Sequence, residues 1–172
     1  MDATKIPTNV GPIGIFDSGY GGITILEQVR KGLHRYDYLY LGDNARAPYG
    51  TRSFEIVYEF TKQAVFHLFD EGCSLVILAC NTASAKALRS IQQKDLPCLA
   101  PDKRVLGVIR PTVESLSELS RTGHIGILAT PGTIQSGSYE LSRIRGICTV
   151  MPHVCSVGGK QRSAREGSRL FC

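Results

Sequence analysis

Long apolar runs are missing from this sequence of 172 residues. None approaches the roughly 18 residues that a membrane-spanning helix needs, so no membrane association is expected. The opening MDATKIPTNV lacks the apolar segment of a secretion signal, and a cytoplasmic location is expected from that. Cys-x-x-Cys pairs are absent too. The six cysteines are therefore expected to be thiols, not disulfides or zinc ligands. Nor do the histidines show metal-ligand spacing: His34, His67 and His124 fall on a helix or near element ends, and no metal is expected. A surplus of one charge is also lacking over most of the chain. Residues 1–141 carry equal numbers of acidic and basic side chains, and the net charge of +5 arises wholly in residues 142–172. An excess confined to one segment is not the footprint of a nucleic-acid-binding face.

What is present alternates. IGIFD, with strand residues Ile13 to Phe16, runs into a glycine-rich turn, and ITILEQVRKGL then places Ile25, Val29 and Leu33 on one helical face. YDYLYLGD reads as a second strand, and Ser53 to Asp70 as an amphipathic helix. Leu75 to Ala79 is a third strand, followed by a helix through Ala83 to Gln92. VLGVI and HIGILAT are further strands, with a helix over Thr112 to Ser120 between them. This order predicts an α/β fold: a mostly parallel sheet flanked by helices, linked by right-handed crossovers. Pro97 to Arg104 marks the expected boundary between a first lobe, 1–98, and the start of a second, 99–141; residues 142–172 form an atypical basic tail.

In such a sheet, ligands bind outside the carboxyl ends of the strands. DSGYGG, GDNARAPYG, CNTAS and ATPGTIQSGSY all fall at those ends. Cys80 leaves its strand and enters the first turn of a helix, where unpaired backbone N–H groups and the helix dipole favour a thiolate. Its alternative is a small buried apolar residue, the reading kept for Cys73 and Cys98. Asn81 and Thr82 can cap the helix and still face a ligand. Asp17 and Ser18 open the first helix, as caps or as holders of an anionic group. The turn is not a phosphate-binding Walker A loop, because the Gly-Lys-Ser/Thr ending is missing. Pro48, Tyr49 and Gly50 make a rigid turn.

IGIFDSGYGGITIL, YLGDNARAPYG, VILACNTASA, GVIRPT and GILATPGTIQSGSYE, in that order, closely resemble the glutamate racemases, within the aspartate/glutamate racemase superfamily. The resemblance covers about residues 12–141. It implies two facing α/β lobes and a cofactor-independent interconversion of L- and D-glutamate, supplying D-glutamate for peptidoglycan. It implies Cys80 as one of two catalytic cysteines, assisted by Asp17. Asp17, Ser18, Tyr49, Gly50, Asn81 and Thr82, with Thr130 and Thr133, would bind the glutamate substrate. No cofactor is implied, and assembly into a homodimer is left open. The same motifs admit another amino-acid racemase of the superfamily, or a non-catalytic remnant that binds a ligand or a protein.

Racemisation without a cofactor needs two acid/base groups, one on each side of a planar carbanion. The family's second cysteine lies in a Gly-Cys-Thr-His motif that is absent here. Cys148, Cys155 and Cys172 lack the Thr-His context and are not candidates. Past Leu141 the expectation is a reading-frame shift. Read one base forward from the ATG of Met151, the segment must begin with cysteine and permits Cys-Pro-Met-Cys-Val-Pro-Leu-Val-Glu, close to a segment of the family's second lobe. A catalytically incomplete chain, poorly soluble and with little stable fold beyond residue 141, is the consequence expected.

Overall fold

The computed structural model describes residues 11–119, 125–141 and 150–152. Its centre is a four-stranded parallel sheet in the order β2-β1-β3-β4, built from β1 (Ile13–Asp17), β2 (Tyr38–Gly42), β3 (Leu75–Leu78) and β4 (Arg104–Gly107). The chain moves from β1 to β2 on one side, then returns to place β3 on the other. That reversal opens a crevice between the ends of β1 and β3, the usual ligand position in open α/β sheets. β1 is buried along its whole length, as a central strand with both faces covered must be.

One face carries α1 (Gly22–Gly32), whose Ile25 and Leu26 pack toward Ile13, Ile15 and Ala79. The other carries α2 (Phe54–Asp70) and a long helical run; Val57, Val65 and Leu68 meet Phe16, Val76, Leu78 and Val105 there. Fully burying each such Leu, Ile, Val or Phe stabilises the fold by roughly 1.5–3 kcal/mol. Ser53 caps α2, its side chain accepting from the Ile56 N–H at 3.3 Å.

The third helix starts earlier and ends later than its apolar spacing suggests. α3 (Asn81–Lys86) begins directly after Cys80, and α4 (Leu88–Ser90), a π-helical turn (Ile91–Asp95) and α5 (Leu96–Leu99) follow without leaving helical geometry. Pro97 lies in the first turn of α5, directly after the π-helical turn, and the helical run continues past it to Leu99. β4 pairs with β3, so the first sheet reaches Gly107.

Beyond it come α6 (Ile109–Leu119), β5 (Ile127–Ala129), α7 (Pro131–Gln135) and α8 (Ser138–Leu141). β5 pairs in parallel with β6 (Val150–Pro152), so three residues of the basic tail form a strand. Among the described residues no helix is long and apolar enough to cross a membrane.

Candidate active site

Parallel register brings the strand ends level, with Phe16 opposite both Leu41 and Leu78, and Asp17 opposite Gly42. The turns after β1 and β3 therefore emerge side by side. Asp17, buried at the tip of β1, accepts the Gly22 N–H through Oδ2 at 2.9 Å and so secures the start of α1. Gly22 is required for that approach, because a Cβ there would lie 2.6 Å from the Asp17 Cβ. The cap residue of α1 is Gly21, and of Asp17 and Ser18 it is Asp17 that reaches the helix start from the strand end. Ser18 instead reaches across: its Oγ lies 3.2 Å from the Cys80 Sγ.

Cys80 is buried, with 7% of its surface exposed, and occupies the cap position of α3. Its sulfur accepts from the Ala83 N–H at 3.4 Å, so a backbone donor and a hydroxyl both converge on it. Cys73 has no such partners and sits in the core, where burial pushes its thiol up. Cys98 is exposed and away from the cavity.

A cavity of about 470 Å³ opens over these residues, lined by Asp17, Cys80, Asn81 and Thr82 from one side and by Thr130, Thr133 and Tyr139 from the other. Thr82 and Thr130 are joined hydroxyl to hydroxyl at 3.2 Å, and Thr130 to Thr133 at 3.0 Å. Thr130 also caps α7. Asn81 Oδ1 accepts from the Tyr139 hydroxyl at 3.0 Å. With that oxygen engaged, the carboxamide N–H groups are the free end, suited to an anionic acceptor.

Tyr49 and Gly50 sit differently from the other candidates. The Tyr49 ring is buried against Phe16 and Phe60, and its hydroxyl donates to Asp43 Oδ2 at 2.5 Å. Burial, then the bond and charge of Asp43, raise its pKa far above the ordinary tyrosine value. The Tyr49 side chain is thus a core strut, and neither Tyr49 nor Gly50 is among the residues that line the cavity. Gly50 abuts Thr130: a Cβ on it would lie 2.7 Å from the Thr130 Cγ2.

Thr24, Thr112 and Tyr139 also line the cavity and were not candidates from the sequence. Tyr139 lay inside a strand-end motif and was findable on that ground; Thr24 and Thr112 sit on helices, with no local signal. Asp43, the anchor of Tyr49, also holds Arg46 Nε at 2.6 Å. His34 and His67 are exposed; His124, Cys148, Cys155 and Cys172 lie outside the described residues. No group of metal-ligating side chains occurs among the described residues.

No family model matches the chain. Among curated relatives, it is 46% identical to the glutamate racemase of Ruegeria sp. (strain TM1040) over 92% of this chain and 62% of that protein. A match that long reaches past Leu141, where the motifs stop. Among solved structures, glutamate racemase from Aquifex pyrophilus superposes with a TM-score of 0.74 at 36% identity, covering 86% of this chain and 58% of that one. Glutamate racemase from Francisella tularensis, in complex with D-glutamate, gives 0.71 at 35% identity, covering 84% and 53%. The chain spans between half and two thirds of the length of these relatives.

Proposed function

From the premise that this chain shares the sequence and fold of the glutamate racemases, we infer that its cavity binds glutamate and that Cys80 exchanges a proton with the substrate Cα. The observation that carries the reading is the meeting of Ser18, Cys80 and the α3 N-terminus at the joint end of β1 and β3. The thiolate of Cys80 takes the Cα proton from one face and returns a proton to that same face; inversion requires a second acid on the other face, the group whose family motif this sequence lacks. Carbanion charge spreads into the substrate α-carboxylate, which Asn81 and Thr82 hold with fixed donors. Ser18 and Asp17 keep the sulfur and its loop in place. In a chain that carries both acid/base groups, the D-glutamate formed serves peptidoglycan synthesis in the cytoplasm, and no cofactor is needed; this chain is catalytically incomplete.

Incubation with D- and L-glutamate, and with both aspartates, in deuterated water tests this by following loss of the Cα proton by NMR. Exchange with glutamate, abolished in Cys80→Ala, is the expected result. Exchange that survives Cys80→Ala removes the assigned base, and a preference for aspartate moves the chain to another racemase of the superfamily. Glutamate binding without any exchange supports a non-catalytic binding protein instead.

A further inference from the structure

Lys86 lies on α3 with only 8% of its surface exposed, and among the described residues no carboxylate is within ion-pair distance of it. Burial pulls its pKa down, against the opposing charge of Glu55. A buried ammonium in that state is costly unless its donors are used. Its Nζ donates to the Arg52 carbonyl at 2.5 Å and stands 4.9 Å from the centre of the Phe54 ring.

The Arg52 carbonyl closes a loop that already holds itself together. The Arg52 Nε donates to the Arg46 and Pro48 carbonyls at 3.1 and 3.2 Å, binding both flanks of the Pro48–Gly50 turn. From the opposite side α7 presses on the same lysine. A Cβ on Gly132 would stand 2.2 Å from Lys86 Cε, 2.3 Å from Nζ and 3.1 Å from the Gly50 carbonyl oxygen. Three segments therefore meet at one amine: the 48–52 turn, α3, which brings Asn81 and Thr82 to the cavity, and α7, which brings Thr133 and its cap Thr130.

We propose that Lys86 is a positioning residue that holds the 48–52 turn and α7 in register with α3, and so sets the affinity of the cavity for glutamate without touching it. The role rests on the glutamate-binding reading above. Lys86→Met keeps the apolar stem and removes the donor, while Gly132→Ala displaces the amine from the α7 side.

Backbone amide exchange of the full chain is measured for both variants, alongside glutamate affinity and the Cα exchange rate at saturating substrate. In each variant, amide exchange is expected to quicken about tenfold in residues 48–52 and 131–135, the scale of one lost buried hydrogen bond, with β1 and β3 unchanged. Glutamate affinity falls by a similar factor, while the saturated rate stays within about twofold. Unaltered amide exchange in those two segments, or a uniform rise that includes the sheet, overturns the proposal; so does an affinity that does not change. A wild-type chain that binds no glutamate sinks the functional reading, and the segmental amide exchange then decides the role of Lys86 alone.

Discussion

A tyrosine hydroxyl sealed beside a carboxylate keeps its proton, and Tyr49 is such a group. Because its folded pKa is raised above the unfolded value of about 10, its contribution to stability is complete below that pH and declines as pH rises beyond it. Urea unfolding followed from pH 8 to 11 should show a midpoint that falls above pH 10 more steeply in the wild type than in Tyr49→Phe. At pH 8 the variant should be less stable by about 1–3 kcal/mol, the loss of one buried hydrogen bond to a charged acceptor. Equal alkaline slopes in the two proteins would refute the assignment. The direction of that ring was not legible in the sequence. A Pro-Tyr-Gly turn says that the backbone bends; where the ring goes depends on Phe16 and Phe60, supplied from distant elements. That Cys80, Asn81 and Thr82 line the cavity was legible from the strand-end position of CNTAS, whereas Thr130 and Thr133 came from the family resemblance alone.

At the scale of elements, period 3.6 located α1 and α2, whose apolar residues recur on one side, and short apolar runs bounded by turns located the first three strands. The π-helical turn over Ile91–Asp95 escaped that reading, since a register change inside a helix leaves the apolar spacing locally plausible on either side. The partner of β4 escaped for another reason: its pairing with β3 is a long-range contact that no local composition announces. The junction of β1 and α1 carries a prediction of its own. Gly22→Ala forces a methyl into the Asp17 side chain, so either α1 lifts or the carboxylate swings away from the Gly22 N–H. Thermal unfolding should register a loss of about 1–3 kcal/mol. Glutamate binding should weaken with it, and a variant of native stability and affinity would show the approach to be looser than drawn.

For the molecule as a whole, the described residues bring one thiol to the cavity. A base on one side of a carbanion can remove and return a proton only at that side. The chain should therefore wash deuterium into the Cα of one glutamate enantiomer faster than it racemises it, measured by NMR beside polarimetry. Equal rates of exchange and racemisation for both enantiomers would mean that a second acid/base group faces Cys80. The nature of residues 142–172 is a separate matter, open to nucleotide sequencing. A frame shift predicts that one inserted or deleted base near codons 142–151 restores the family pattern. An intact frame there makes β6, and the match that extends past Leu141, native features of the chain.

The level strand ends have a bearing on how such a chain can vary. Adding or removing a residue between α1 and β2, or between α2 and β3, only changes the length of a connection. Removing one inside β3 draws Cys80 back by about 3.3 Å and turns it to the opposite face of the sheet. Length variation is thus confined to the edge of the sheet remote from the cavity, where the chain enters its strands, and the spacing from Ile13 to Asp17 and from Leu75 to Cys80 behaves as a fixed ruler.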